Sequence, residues 1–456
     1  MSLATCTIRF IQRTERTLYM SGALAKSLQL AGAKTVTVKL GSANVTVTLK
    51  RTRQSDYVIT VPISLKNALR IPRDGKCMIV SHRGREIEMG PLVGIMTSFS
   101  GSSIAQPFGT KTGLIRSYLS AGANKAFYFA FLPRDVDWTN ETVAGYFPGP
   151  NGTWRKRTVP LPDAVYNRLG NRTAEKSAAL EHFKERFTRR GIPLFNWSFF
   201  DKWDVYRLLE GDDMEKHVPE SKIGPTPETI RDMLERHRFV YLKPTGGSLG
   251  IGIYRLTYHP KRGYFARYRA NGKNVLIRFS QFSSLMRMMN RNQGRMRNYV
   301  IQQGIRLVEL EGCPIDFRFH LHKNGNNQWV VAGIGAKKAG RGSVTTHVKN
   351  GGMVMTPEQA LGRIYGSRSE QVLSDAKQVA VKLAEAIERN YRHRLGELGF
   401  DLGIDQKERV WMFEANAKPG RSIFKHPSLK TQGAASLGYI FDHLVYLSDF
   451  RARRES

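Results

Sequence analysis

Two stretches hold the residues most able to do chemistry. In "VYLKPTGGSLGIGIYRL", Val240 to Leu256, a strand-like run ends in Lys243 and Pro244, and a glycine-rich loop follows. The loop Gly246-Gly247-Ser248-Leu249-Gly250-Ile251-Gly252 lets the backbone approach a ligand with no Cβ in the way. Exposed amides in such a turn can cradle oxyanions, and Lys243 would add a point charge at a phosphate. The loop is not a P-loop, since no Gly-Lys-Ser/Thr follows. Nor is it part of a protein kinase: "DFR" stands in place of "DFG", and no HRD loop occurs. Taken alone, it is equally well read as a hairpin with glycine bulges.

The second stretch is "GFDLGIDQKERVWMFEANAKPGR". Glu414 and Asn416 lie two apart on a strand and so share one face. A carboxylate and an amide oxygen, with a second carboxylate from a neighbouring strand, suit a hard cation such as Mg²⁺. That second carboxylate is Asp401 or Asp405. The "DQKER" turn pairs the two strands, which brings Asp401 across from Glu414 and leaves Asp405 near the turn, toward solvent. A polar surface hairpin is the alternative, but the flanking "VWMF" is apolar enough to be buried. A buried glutamate needs a partner.

Two further pieces add to these. "YVIQQGIRL" is a strand ending in Gln302, Gln303, Gly304 and Ile305, where backbone groups could meet an adenine edge and an apolar residue could cover the ring. In "CPIDFRFHLHK", Asp316 and Arg318 share a strand face and can support each other. Arg318 could reach a phosphate, or the two could form only a structural ion pair.

The elements that must position these residues read as three units. Residues 1–90 are β-rich, with alternating runs such as "KTVTVKL" and "NVTVTLK". "LAKSLQLAGAKTVTVKLG" echoes "LKNALRIPRDGKCMIVSHRG", and two such halves could interlock as a small double-psi-like barrel. From Pro91 to residue 195 the pattern turns to α/β alternation, with the buried-strand run "LVGIMTSF". From Asn196 onward helices and strands alternate again. The closing helix "AASLGYIFDHLVYLSDF" has an aromatic stripe that reads as core.

The bulk numbers limit the function classes. The 456 residues carry 71 Lys and Arg against 38 Asp and Glu, a formal charge of +33. Such a field favours acidic partners. The imbalance concentrates between Arg236 and Val308, a segment with 15 Lys or Arg and no acid. No recognised nucleic-acid motif accompanies it, which argues against a DNA or RNA binder. No run is long enough for a membrane span or a signal peptide, so a cytoplasmic protein is expected. Cys6, Cys77 and Cys313 stand far apart and form neither a zinc spacing nor a disulfide framework.

In this order, lysine with glycine loop, hinge, Asp-x-Arg and Asp…Glu-x-Asn followed by "PG" resemble the ATP-grasp superfamily, from about Asn196 to Asp449. More narrowly, "LVGIM", "LPDAVYNRL", "FDKWDVYRLL", "YLKPTGGSLGIGI", "IQQGI", "DFRFHLHKN" and "LGFDLGID…VWMFEANAKPGR" resemble the YheC/YheD family of endospore coat-associated ATP-grasp proteins. The resemblance implies an α/β ATP-grasp domain over 196–456, with a lid at roughly 236–300. A Rossmann-like pre-ATP-grasp domain over 91–195 would precede it. Lys202 in "FDKW" and Lys243 would be the two nucleotide lysines. Gly246, Gly247, Ser248 and Gly250 would close over the β- and γ-phosphates of ATP. Gln302, Gln303, Gly304 and Ile305 would be the hinge against adenine. Arg318, with Lys243, would act near the transferred phosphoryl group, and Asp401, Glu414 and Asn416 would hold Mg²⁺ or Mn²⁺. The spacing of 13 between Asp401 and Glu414 agrees with the superfamily's hairpin. One departure is His347 in "VTTHVKNGG", where related ligases often carry Asn.

The implied reaction joins an unidentified carboxylate donor to an amine acceptor through an acylphosphate. The acceptor could be an acidic polymer or a coat component, which also implies association with a spore coat. The alternative from another class is a nucleotide-binding assembly protein of the coat with little turnover.

Overall fold

The structure is a computed structural model. It describes residues 2–30, 32–82, 85–98, 101, 103–245, 252–292, 296–346 and 351–451, with only the backbone of Lys202 and Asn292. The first unit comprises β1 (Ser2–Ile11), β2 (Thr17–Ser21), α1 (Gly22–Ser27), β3 (Thr35–Leu40), β4 (Ala43–Thr52), β5 (Val58–Pro62), α2 (Ile63–Ala68), β6 (Gly75–His82) and β7 (Glu86–Gly90). The seven strands close into a barrel in the order β1-β5-β2-β4-β3-β7-β6. The sequence echo is real structure: β2-α1-β3-β4 and β5-α2-β6-β7 are both a strand, a short helix and a hairpin. The repeated leucine pattern has a packing cause. Leu24, Leu28 and Leu30, like Leu65, Leu69 and Ile71, plug the barrel interior at no more than 2% exposure. The cysteines differ from expectation in one respect. Cys6 and Cys77 face each other across β1 and β6, with sulfurs 3.8 Å apart and both thiols free.

A second sheet follows, with β8 (Leu92–Met96), α3 (Thr112–Ser120), β9 (Phe127–Phe131), β10 (Val136–Asp137), β11 (Thr142–Pro148), β12 (Trp154–Pro160), β13 (Ala164–Asn167), α4 (Arg172–Glu175), α5 (Ala178–Arg189) and β14 (Leu194–Phe195). Its core, β9-β8-β13-β14, is parallel. The strands "LVGIM" and "FYFAF" are buried at every residue, as a parallel sheet covered on both faces requires. An antiparallel arm of β10, β11 and β12 extends one edge.

The remaining chain builds two antiparallel sheets. α6 (Lys202–Leu209) precedes them, and one sheet's unit holds β15 (Ser221–Ile223), α7 (Pro227–His237), β16 (Phe239–Pro244), β17 (Tyr254–His259), β18 (Gly263–Ala270), β19 (Lys273–Phe279), α8 (Phe282–Asn292) and β20 (Tyr299–Gln303). Its order is β15-β20-β16-β17-β18-β19. Ile230, Met233 and Leu234 of α7 share one apolar cluster with Leu285 and Met289 of α8 and with Val240, Leu242 and Leu256 of the strands. This compact unit therefore begins ahead of residue 236, where the acid-free segment starts.

The other sheet holds β21 (Glu309–Leu310), β22 (Cys313–Lys323), β23 (Trp329–Lys338), β24 (Met353–Met355), α9 (Pro357–Tyr365), α10 (Ser369–Asn390), β25 (Glu397–Ile404) and β26 (Val410–Asn416). Its order is β24-β23-β22-β25-β26. α10 buries Val372, Ala376, Ala380, Leu383 and Ile387 against it, a 3.6-residue stripe. The closing helix α11 (Lys430–Leu447) buries Ile440, Phe441 and Leu444 in the core of the second sheet, so its aromatic stripe is packing, as its spacing suggests. Among the described residues no helix is long and apolar enough to cross a membrane.

The barrel docks on the second sheet through Gly41 and Ser42. Ser42 N–H donates to the Leu161 carbonyl at 3.1 Å, and Leu161 N–H donates to Ser42 Oγ at 3.0 Å. Gly41 has φ +53, and a Cβ there would lie 2.2 Å from the Leu161 carbonyl oxygen. Gly41→Ala should therefore destabilise the protein by about 1–3 kcal/mol, seen as a lower melting temperature with secondary structure unchanged.

Candidate functional site

The strand register of the last sheet sets one row of side chains. Arg318 of β22 pairs with Asp401 of β25, and Asp401 pairs with Glu414 of β26. A bulge follows Asp401, leaving Phe413 as the extra residue on β26; such bulges re-aim neighbouring side chains. Asp405 has a different task. Its Oδ1 accepts from the N–H groups of Lys407 and Arg409, and its Oδ2 accepts from Trp411 Nε1, so it holds the turn together.

Arg318 and Asp401 form a bidentate pair: Nε donates to Oδ1 and Nη2 to Oδ2, each at 2.8 Å. The expected mutual support of Asp316 and Arg318 is not what forms. Asp316 pairs instead with Lys337 of β23 at 2.8 Å, and Lys337 also donates to Asp401 Oδ1 at 2.9 Å. Thr346 Oγ1 donates to Asp316 Oδ2. The physical reason is register, because strand neighbours two apart are farther from each other than cross-strand partners. Burial acts to raise the Asp401 carboxyl, but Arg318 and Lys337 outweigh it and hold the pKa below the usual range. Burial lifts Asp316 against the pull of Lys337. Burial also acts to lower the Lys337 ammonium, and the two aspartates more than reverse that.

From the facing sheet, Lys243 Nζ donates to Gln302 Oε1. Gln302 Nε2 donates to Tyr206 Oη at 2.7 Å and to Ser221 Oγ at 3.1 Å. Tyr206, on α6, donates to the Phe413 carbonyl at 2.9 Å. This chain of bonds brings Lys243 to 5.6 Å from the Phe413 ring and beside the Asp401–Glu414 row. Gln302 is fully buried, so its side chain belongs to the relay.

Two of the four residues expected at the hinge have their backbone N–H groups engaged. Gln303 N–H donates to the Glu220 carbonyl at 2.8 Å, and Gly304 N–H to the Phe239 carbonyl at 3.0 Å. Ile305 N–H donates to none of the described residues. Gly304 is a glycine for a visible reason, since a Cβ would meet the Phe239 ring at 2.1 Å.

The donor set fits a hard cation. Glu414 and Asn416 are half-buried on one face, and among the described residues neither makes a hydrogen bond or ion pair. Among the described residues Asp401 Oδ2 accepts only from Arg318, which leaves it a lone pair. Two carboxylates and an amide oxygen match the preference of Mg²⁺. Gly246, Gly247, Ser248, Gly250 and His347 lie outside the described residues, and Lys202 starts α6 with Asp201 as its N-cap. Sequence reasoning missed Lys337 and Tyr206. "AKK" and "FDKWDVY" resemble many strand ends and helices, and only the register and the relay single these residues out.

Two antiparallel sheets that face each other, with Lys243 on one and the Arg318–Asp401–Glu414 row on the other, define the ATP-grasp class. Residues 191–447 match the model of the family described as YheC/D like ATP-grasp, and the chain belongs to that family. It is 33% identical over 442 residues to the endospore coat-associated protein YheD of Bacillus subtilis (strain 168), covering 96% of this chain and 94% of that protein. It is 22% identical over 304 residues to the endospore coat-associated protein YheC of the same organism, covering 64% and 81%. Among solved structures, D-alanyl-alanine synthetase A from Vibrio cholerae O1 aligns over 79% of this chain and 99% of its own, at 11% identity and a TM-score of 0.46.

Lys337→Met should cost ~3 kcal/mol, because it leaves Asp316 and Asp401 short of a cation in a buried place. The sign with pH follows. The folded pKa of Asp316 is already raised, and losing Lys337 raises it further, so the penalty exists above that pKa and fades as pH falls through it. Thermal melts of both proteins across the acid range should converge toward low pH.

Proposed function

We propose that this chain is an ATP- and Mg²⁺-dependent ligase that activates a carboxylate as an acylphosphate and passes it to an amine. The observation that carries this reading is the row Arg318–Asp401–Glu414 facing Lys243, with the relay through Gln302 and Tyr206 holding the lysine in place. In the reaction, a carboxylate oxygen attacks the γ-phosphorus, ADP leaves, and an amine then displaces phosphate. Bound Mg²⁺ would be held by Asp401, Glu414 and Asn416 and would neutralise the phosphate charge. Lys243 supplies a fixed positive charge at the phosphates, and by resemblance Lys202 would be the second nucleotide lysine. Arg318, anchored through Nε and Nη2, keeps Nη1 to donate to the transferring group, which is preorganised electrostatic stabilisation. Ile305 N–H and the hinge carbonyls remain to meet adenine. By resemblance to the superfamily, Gly246, Gly247, Ser248 and Gly250 would close over the phosphates and exclude water.

The basic segment supports an acidic substrate. Tyr241 faces Arg255, Arg255 faces Arg267, and Phe265 faces Arg278 across the strands. Lys243, Arg255, Arg267, Arg269 and Arg278 therefore share the sheet face opposite the helix-covered one. A polyanionic acceptor, such as an acidic coat component, would meet that face. The domain division follows the same reading: a double-psi-like barrel over 1–90, a Rossmann-like domain over 91–195 and the ATP-grasp domain over 196–456. Kinship with YheD points to association with a spore coat.

Mg·ATP should raise the melting temperature of the wild type, and Glu414→Gln should remove most of that rise. A full shift in the variant would refute the metal assignment. ADP release should depend on adding a carboxylate and an amine from a panel. Stabilisation by Mg·ATP with no ADP release from any pair would mean nucleotide binding without turnover.

A further inference from the structure

The face of β22 that carries Arg318 continues inward to His320 and His322. Alternation on a strand puts all three side chains on one side. His322 stands opposite Glu397 of β25, and His320 stands opposite Gly399. His320, His322 and Glu397 are each 0% exposed. One ligand atom from each lies within 4.8 Å of the others. Neither ring nitrogen of either histidine has a hydrogen-bond partner among the described residues, and neither does Glu397 Oε1. Buried polar atoms rarely stay unpaired, so three such side chains clustered together call for an occupant.

The surroundings fix the carboxylate. Glu397 Oε2 accepts from Tyr166 Oη and from Arg168 Nη1 at 3.3 Å. Oε1 is thereby turned toward the histidines, 3.9 Å from His322 Nε2. Such outer partners orient a metal-binding carboxylate. Burial drives both imidazoles to their neutral form, the one that ligates. Arg421 Nη1 lies 3.8 Å from Glu397 Oε1 and has no hydrogen-bond partner. Two nearby guanidiniums oppose a loosely held hard cation, and they favour an anion as a further ligand of any metal that nitrogen holds strongly.

We propose that His320, His322 and Glu397 bind one first-row transition-metal ion, zinc by preference, with Arg421 placed to hold an anionic further ligand. Two imidazoles and a carboxylate are a borderline donor set suited to zinc and its neighbours. The site is distinct from the Asp401–Glu414 row. His322 is four residues beyond Arg318 along β22, roughly 13 Å at the rise of a strand. The metal would bridge the neighbouring strands β22 and β25, with Tyr166 of the second sheet bonded to its carboxylate ligand.

Elemental analysis of the full chain, purified without chelator or a polyhistidine tag, should find about one zinc per chain. Glu397→Gln and His322→Ala should each retain at least about tenfold less, while Glu414→Gln should retain the full amount. Should either variant fold poorly, wild type stripped with dipicolinate and given Co²⁺ should develop visible d–d absorption, which added Zn²⁺ removes. Wild type that holds no metal as purified, keeps no Zn²⁺ after dialysis and shows no Co²⁺ absorption would overturn the proposal. Equal metal content in all three variants would overturn it too, as would a stoichiometric anion found in place of metal by native mass spectrometry. None of these readouts depends on ATP.

Discussion

The chain of hydrogen bonds from Lys243 through Gln302 and Tyr206 to the Phe413 carbonyl is the link on which the cleft depends. It starts on the basic sheet and crosses α6. It ends at the bulge beside Glu414. A lysine on a flexible stem has ~2 kcal/mol of rotamer freedom to lose, and the buried amide of Gln302 restricts it before any ligand arrives. The bulge matters equally. It exposes the Phe413 carbonyl to Tyr206 while keeping Asp401 opposite Glu414.

Charge follows the same logic. The chain carries a large excess of cations, yet at the site each buried charge has a matched partner. Arg318, Lys337, Asp316 and Asp401 form a closed group of two cations and two anions. Such a group is stable only if complete, because removing one member strands a charge in low dielectric. The group also leaves Glu414 and Asn416 as donors turned to the cleft. Arg255, Arg267, Arg269 and Arg278, which form no ion pair among the described residues, lie instead on the face of the β15–β20 sheet opposite its helices. Spatial separation of a neutralised floor from a cationic roof is consistent with the proposed reaction of phosphates and an acidic substrate.

Much of this was legible in the sequence, for identifiable reasons. The Leu-x3-Leu-x-Leu/Ile repeats marked the barrel halves because the same plugging residues are needed twice. The hairpin of Asp401 and Glu414 could be read from its turn, but the exact pairing rested on family resemblance, because the turn's register continued without the bulge would set Asp401 opposite Phe413. The Asp316–Lys337 pair could not be read, because the β22–β23 register is set by a separate turn and shifts at His320. The antiparallel arm β10–β12 was equally opaque. β10 has only two residues, and β12 opens with Trp-Arg-Lys-Arg, so neither carries the apolar alternation that marks a half-buried strand. Tyr206 reads as one more aromatic on a helix until the tertiary fold brings it to Gln302.

Equilibrium binding of Mg·ATP to wild type and to Tyr206→Phe tests the relay most directly. The substitution keeps the ring and removes only the hydroxyl that joins Gln302 to Phe413. With the relay positioning Lys243, affinity should fall about tenfold, the equivalent of one buried hydrogen bond, while the melting temperature without ligand changes little. Unchanged affinity in a folded Tyr206→Phe protein would contradict the claim that this chain of bonds builds the nucleotide site.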